Sequence, residues 1–481
     1  MTDSNLTRIA YGKETTEGVA ATNLKTLRMT GESLNIAVQY TESQEIRSDR
    51  QLDSAVFTGK DVSGAINFEL SYGTFDDLFE GVFFNNYVKT PEISNGGVAD
   101  SAITGVTNSS DTIAVASGGT AFVDGHLIRT NGFTNAANNN RFRVGSSTST
   151  SIVLDGLPVL VDEAAPAANA RIKVIGFQGE TDDLAAVSDG LASTALNFTT
   201  LGLSVGMMIK IGGELVGEKF ATAANNTFVR IVAITATKLT LDMLPPGWAA
   251  DTGTGKTITV YIPDGLKIGT TRHAFTIEKG FLGQTVPTYE QFTGLLVNQL
   301  QLQTNAKAMV TGNMSFMGRD GTVSTTPLDG SPDPASTTEQ MNTVTDVSRI
   351  YVAGVESSAP NFVMQSSLSL NNNLRGKDAI GVAGYADIGV GRADVSGSLS
   401  IYYGDKSLKE KALNNEDVSL LLGYKKDGQA YVFMMPRVKL TQNNTPASGG
   451  NQDVMQSINY RAQRDATFGN TLFLSRFEEV A

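Results

Sequence analysis

The sequence predicts a mainly β protein built by duplication, and three observations carry that reading. A strand–turn–helix unit over Asp61–Phe84 returns near the C-terminus. A second, shorter duplication lies between the two copies. The composition also suits short strands and frequent turns: 49 Gly, 13 Pro and abundant Thr, Ser and Asn among 481 residues, 41 % of them hydrophobic, with few long stretches of helical period. At this length several domains of roughly 100–200 residues each are expected.

Residues 1–26 read as an extended polar N-terminal arm with scattered apolar positions. From Val62 to Tyr72 the side chains alternate. Val62, Gly64, Ile66, Phe68, Leu70 and Tyr72 fall on one face, and Ser63, Ala65, Asn67, Glu69 and Ser71 on the other, which is the period of a half-buried strand. After Gly73 the period changes. Phe75, Leu78, Phe79, Val82 and Phe83 form the stripe of a short amphipathic helix, with Thr74 and Asp77 spaced as a capping box. The same plan recurs in Asp394–Ile401, Gly404 and the Ser407/Glu410 pair before Leu413. Upstream, Ser33-Leu34-Asn35-Ile36 matches Ser367-Leu368-Ser369-Leu370. One single-residue gap aligns both matches, so the reading is an internal duplication.

The texture changes between 86 and 270, where aromatics thin out and Asn, Ala, Thr and Gly rise. Ala136-Ala137-Asn138-Asn139 matches Ala223-Ala224-Asn225-Asn226, Arg143-Val144 matches Arg230-Ile231, and Leu154-Asp155 with Leu157-Pro158 matches Leu241-Asp242 with Leu244-Pro245, all at one spacing. Two small homologous β modules are therefore expected near 101–177 and 182–265. The main unit resumes with predicted strands at Ala274–Ile277, Phe292–Leu302 and Met309–Met317. The second copy offers Val418–Tyr424, Ala430–Met435, Val438–Thr441 and Ser457–Ala462. The expected division is an arm (1–26), a split first domain (27–85 and 271–318), the insertion (86–270), a linker rich in Thr, Pro, Asp and Ser (319–359) and a continuous second domain (360–481).

The absence of Cys removes disulfides, thiolate metal sites and Cys nucleophiles, and fits synthesis in a reducing cytoplasm. No apolar run reaches eighteen residues and the N-terminus lacks an apolar stretch, so neither a membrane span nor a secretory signal is expected. The net charge of −12 argues against a broad basic surface for nucleic acid. Ala250–Thr257 (ADTGTGKT) resembles a phosphate-cradling loop. It lacks the leading Gly, and a strand pattern, Ile258–Tyr261, follows where that motif requires a helix. It is read as a hairpin turn. The two histidines, His126 and His273, have no ligand spacing around them. Asp76-Asp77 is explained by the helix dipole, and the Glu42/Glu45/Asp49 and Asp155/Asp162/Glu163 clusters lack calcium-loop spacing. No catalytic residue, cofactor site or metal site is assigned, and no enzyme activity is expected.

These segments resemble the tail tube proteins of long, non-contractile-tailed bacteriophages. The resemblance rests on Ser33-Leu34, Glu45–Gln51 (EIRSDRQ), Val62–Asp77, Phe275–Lys279, Phe292-Thr293-Gly294, Val310–Gly318, Ala379-Ile380-Gly381, Leu413-Asn414, Pro436–Lys439 and Asn451–Met455. It covers 1–85 and about 271–481 but not the inserted modules. It implies two tube-type β-sandwich domains, each with a short flanking helix. Their inner strands would join those of neighbouring subunits into a ring-wide barrel, with the insertion pointing outward. Family rings hold six tube domains, so a duplicated chain implies homotrimeric pseudo-hexameric rings, stacked helically into a hollow conduit for DNA ejection.

The partners it implies are further copies of the chain, a tail tip or baseplate initiator, a tape-measure protein and a tail terminator. Genomic DNA would pass through the lumen without specific binding. The implied location is the virion tail, assembled in the host cytoplasm. Alternation makes Asn67 and Glu69 lumen candidates. The segment Thr41–Lys60 mixes both charge signs, and its Glu45, Arg47, Asp49 and Arg50 are candidates for contacts between rings, as is the counterpart segment 371–392. The alternative reading is a carbohydrate-binding or adhesion protein, confined to the inserted modules. Paired aromatics would be expected there, and the sequence holds one Trp, Trp248.

Overall fold

The computed structural model describes residues 3–51, 54–155, 158–352, 354–357, 362–447 and 449–481. Leu157, the expected boundary at Ala359 and Pro360, and two residues of the 41–60 segment, Leu52 and Asp53, lie outside the described residues.

Eight antiparallel strands lie side by side in one sheet. Their order is Asn35–Glu42, Ala55–Glu69, Thr311–Gly318, Thr288–Asn305, then Val363–Asn371, Asp394–Tyr402, Met455–Ala462 and Gln429–Asn444. The second four repeat the order of the first four. Even the irregularities recur. One bulge interrupts Thr288–Asn305 between Val297 and Gln299, opposite Thr311–Gly318; the other interrupts Gln429–Asn444 between Leu440 and Gln442, opposite Met455–Ala462. A bulge re-aims a strand, so the two quartets bend at equivalent places.

The long strands also serve a second layer. Phe275–Phe281 pairs with the start of Thr288–Asn305, and Val418–Lys426 with the start of Gln429–Asn444. Between the layers lies one continuous core that includes Val62, Phe68, Phe79, Leu300, Leu368, Phe433 and Leu474. Each second layer opens with a strand that lies outside the expected domains. Thr7–Lys13, within the expected polar arm, pairs along Phe275–Phe281, and Val347–Val352, within the expected linker, pairs along Val418–Lys426. Ile9, Ala10 and Tyr11 are fully buried, so this part of 1–26 is body rather than arm. Ala430–Met435 and Val438–Thr441, expected as two strands, form one, with Pro436 inside it.

The expected alternation along Val62–Leu70 matches the burial: Val62, Ile66, Phe68 and Leu70 face the core, while Asn67 is exposed. Gly64 and Gly397 explain the repeated Val-Ser-Gly. A Cβ on Gly64 would stand 2.5 Å from the Ser33 carbonyl oxygen, and one on Gly397 2.0 Å from that of Ser367. Strand and neighbour approach too closely there for any side chain.

Two α-helices are present among the described residues, α1 (Asp76–Phe83) and α2 (Ser407–Leu413). Neither forms its expected capping box. Thr74 instead shares a hydrogen bond with the Ser71 hydroxyl in the interior (2.7 Å), and Asp77 accepts from Tyr11. Ser407 bonds to Asp405, while Glu410 holds Lys406 at 2.7 Å.

The insertion folds into its own sheet, whose order reads as two mirrored halves. From the centre outward the first half runs Arg171–Gln178, His126–Asn131, Arg141–Ser147, Ser151–Leu154, Thr112–Val115 and Ile103–Thr107. The second runs Thr259–Tyr261, Met208–Ile211, Phe228–Ile234, Lys238–Asp242, Gly190–Ala192 and Ala185–Val187. The halves join where Gly176 pairs Tyr261. Their bulges again correspond, between Val144 and Ser146 and between Ile231 and Ala233.

The repeated Asn pair is structural. Asn138 braces Val161 through both amide groups, donating to its carbonyl and accepting from its N–H at 2.9 Å each, and Asn225 does the same to Ala249 at 2.9 and 3.2 Å. The loop at 250–257 is no hairpin turn, since its flanking strands pair with other partners. Asp251 ties it down by accepting from Thr222 N–H at 2.8 Å, and a strand follows.

Candidate functional site

The side of the eight-strand sheet that faces away from the core is covered with uncharged polar groups. It carries Gln299, Gln301, Gln303, Asn313, Asn67, Gln365, Ser369, Ser398, Ser457, Asn459 and Gln442. Many are cross-bonded between strands. Asn313 donates to Asn67 at 2.6 Å, Gln299 to Ser369 at 2.8 Å and Asn459 to Gln442 at 2.7 Å, and Ser367 and Ser398 share a bond of 2.8 Å. Neighbouring basic groups are paired, Arg461 with Asp394 (2.8 Å) and Lys439 with Asp417 (2.9 Å). Of the two lumen candidates, Asn67 lies in this carpet and Glu69 is half-buried at its end. The strict alternation in Gln299–Gln303 (QLQLQ) and Ser367–Leu370 (SLSL) flags this face in the sequence, since each polar residue there lies two positions from the next.

Among the described residues the sheet has two open edges. Asn35–Glu42 pairs on one side only, with Ala55–Glu69, and the end of Gln429–Asn444 beyond Leu440 pairs only with Met455–Ala462. An unpaired edge presents free N–H and C=O groups as a template for another strand. Inside the chain the corresponding edges are already joined, Gln299–Asn305 against Gln365–Asn371.

The first strand pair continues past the body as a hairpin. Its third neighbour ends where Gly318 meets Val62, so the seven residues 55–61 reach roughly 23 Å further at strand rise. Tyr40 and Phe57 pack edge to face on it (6.2 Å) while remaining 64 % and 49 % exposed. At its tip Arg47 clasps Asp49 through two bonds of 3.1 and 2.9 Å, and this guanidinium, with the Gln51 N–H, holds the Asp49 carboxyl below its usual range. Arg50 adopts a left-handed backbone (φ 60°), and Glu45 is exposed. The structure thus brings Arg47 and Asp49 together within the loop rather than presenting them separately. The counterpart in the second half is compact. Arg375–Lys377 pairs with Asp387–Gly389, and Ala383 folds against the hairpin base, accepting from Lys60 N–H at 2.7 Å.

The insertion packs on the far side of the second layer, away from the polar face. Leu127, Ile175, Met208, Phe228 and Tyr261 meet Leu421, Val432, Met434 and Phe477. Ion pairs add to this contact: Arg171 with Glu478 towards its margin, and Lys173 with Asp264 (2.6 Å) fully buried. Trp248 is tied into its own module, donating to the Val187 carbonyl at 2.8 Å. His126 is buried, and its Nδ1 accepts from Val123 N–H; His273 lies against the Asn85 carbonyl. Glu163 takes bonds from Thr134, Asn135 and Asn138, and Asp155 from Arg143, so that cluster is accounted for within the module.

A family model described as phage tail tube protein matches residues 4–462. That span includes the inserted modules. No curated protein matches the chain.

Proposed function

The chain belongs to the phage tail tube protein family, and on that footing we propose that three copies close into a ring whose inner wall is the eight-strand sheet repeated three times, and that such rings stack into the conduit for DNA. The observation that carries this reading is the internal seam. Within one chain the two quartets already join edge to edge in register, Gln299 opposite Asn371 through Asn305 opposite Gln365. Copying that register onto the open edges, through the spacing that relates the two quartets, sets Gln442 opposite Ala37 and Asn444 opposite Asn35 of the next copy. Two duplicated domains, 7–85 with 264–324 and 347–481, then give six per ring. Closure removes every exposed edge of the wall.

The carpet of amides and hydroxyls supports a lumen that neither grips phosphates nor repels them strongly, with Asn67 and Glu69 on it. The insertion, packed on the second layer, would stand on the outside. The hairpin with Glu45, Arg47, Asp49 and Arg50 is our assignment for contact between rings. An initiator at the tail tip, a tape-measure protein and a terminator are the partners such a tube needs. The expected location is the virion tail, reached after assembly in the host cytoplasm, and no enzymatic step is assigned.

The chain has no Cys, so engineered pairs report cleanly. Asn35→Cys with Asn444→Cys should give a covalent trimer on oxidation and no larger closed species. Hollow tubes should appear by negative-stain microscopy as concentration rises. Oxidised material that stays monomeric while rings are visible would rule out this register, and failure to form rings even with tail-tip initiators would rule out the tube reading.

A further inference from the structure

We propose that α2 is half of an intermolecular joint, and that it docks onto the open end of the first sandwich of a second copy, over the paired Lys279–Phe281 and Thr288–Glu290 segments. This rests on the ring reading above and adds a contact to it. The argument starts from α1. That helix is almost wholly buried, and the second half of the chain covers it. Phe79 packs edge to face on Tyr431 (5.7 Å) and Phe433 (6.1 Å), Tyr72 stacks on Tyr431 (5.1 Å), and Asp76 accepts from Tyr431 and from Arg476. Asn372 donates to the Val82 carbonyl at 2.9 Å. The first half therefore plugs the open end of the second sandwich with its helix.

α2 follows Asp394–Tyr402 as α1 follows Ala55–Glu69, and it packs against Gln429–Asn444 as α1 packs against Thr288–Asn305. Among the described residues no further unit covers it as the second half covers α1. Of its residues only Leu408 is buried, and Leu413 is 76 % exposed.

The first sandwich shows the matching vacancy. The pairings that place Tyr424 opposite Tyr431 and Leu422 opposite Phe433 place Phe281 opposite Thr288 and Lys279 opposite Glu290 in the first half. Leu474, beside Phe433, is fully buried, whereas its equivalent Val323, beside Glu290, is 62 % exposed. One end of the chain thus has an uncovered helix and the other an uncovered socket.

The two joints also carry opposite charge. Inside the chain the helix is acidic (Asp76, Asp77, Glu80) and meets Arg476 on the sheet. At the open ends α2 and its N-cap carry Lys406, Lys409 and Lys411 against one acid, Glu410, while the socket carries Glu290 and Glu32 around Lys279. This polarity disfavours α2 in the internal socket and favours it in that of a neighbour.

The test uses full-length chain, one half of it isotopically labelled, assembled and treated with a zero-length carbodiimide cross-linker. Mixed-label peptides joining Lys406, Lys409 or Lys411 to Glu290 or Glu32 are expected. Lys409→Glu with Lys411→Glu should leave the monomer's thermal transition in place and raise the concentration for half-maximal ring formation at least tenfold. Adding Glu290→Lys should restore part of that loss. Rings that form at wild-type concentrations from the double variant, without such cross-links, would overturn the joint while leaving the tube reading intact. Absence of rings from unmodified chain would overturn both.

Discussion

Arg476 and Asp76 stand 400 residues apart in sequence and 2.6 Å apart in space. The same guanidinium donates its other nitrogen to Asp264 and lies 4.6 Å above the Tyr87 ring. Asp264 is the first residue of the chain's return from the insertion, and Lys173 of the insertion holds it at 2.6 Å. One cluster therefore ties both halves and the insertion together.

Removing its cation should be costly. Arg476→Met leaves the buried Asp264 and the part-buried Asp76 under-compensated and is expected to lower unfolding stability by about 3–5 kcal/mol in urea titrations. Burial alone would raise the Asp264 carboxyl, but Lys173 and Arg476 outweigh it and hold it low. A carboxylate lowered in the folded state adds stability above its unfolded pKa and loses it as pH falls through the folded value. The stability curve should therefore drop below about pH 4, and Asp264→Asn should flatten that drop while lowering the neutral plateau.

The close crossings at Gly64 and Gly397 predict parallel defects. Each Gly→Ala change drives a Cβ into a neighbouring backbone and should cost at least about 1–3 kcal/mol, read as a lower melting temperature. Alanine at Gly217, where nothing lies within contact distance of a Cβ, should be close to neutral.

Asn138→Ala and Asn225→Ala should each cost about 1 kcal/mol or more, because each buried amide loses the two part-buried bonds that brace a loop backbone. Hydrogen exchange should quicken at the Val161 amide in the first variant and at the Ala249 amide in the second, without crossing over.

Lys210 is buried with its ammonium on the Ile211 and Gly212 carbonyls, and burial, with Lys425 and Lys219 nearby, pushes its pKa down to about 7. The unfolded chain holds this proton up to about pH 10, so the wild-type fold gains stability as pH rises from 7 to 10. Lys210→Met should be relatively most stable at or below pH 7, and its advantage should shrink towards pH 10 in parallel denaturation series.

At the hairpin tip, Asp49→Arg or Arg50→Glu should leave soluble subunits folded and rings intact, since both side chains are exposed. Tubes should fail to elongate. Normal tube lengths by negative-stain microscopy would remove the hairpin from the ring-to-ring contact.

Much of this architecture could be read from the sequence because period-two alternation is strong wherever one face is wet, as in Val62–Leu70. The repeats were also legible, since the closely approached Gly64 and Gly397 and the bracing Asn138 and Asn225 demand the same residue in each copy. The strands Thr7–Lys13 and Val347–Val352 are not legible in the sequence because their short runs carry Arg8 and Arg349. Arg8 reaches Glu278 at 3.5 Å, and Arg349 donates to the carbonyls of Phe228 and Met243, long-range partners that no local pattern announces. Neither capping box forms because its polar groups take other partners, Asp77 a distant one in Tyr11, and Thr74, Ser407 and Glu410 near ones in Ser71, Asp405 and Lys406.

The two halves differ most at the hairpin: only the first half extends one, while the matching loop of the second folds down against its base. A ring of three chains would then have a sixfold wall but only three axial pegs. Successive rings could then index on one another only in steps of a third of a turn, which are all equivalent, and a ring displaced by a sixth of a turn would match the wall below it yet miss every peg. The outer insertions would inherit the same threefold phase along the length of the assembly.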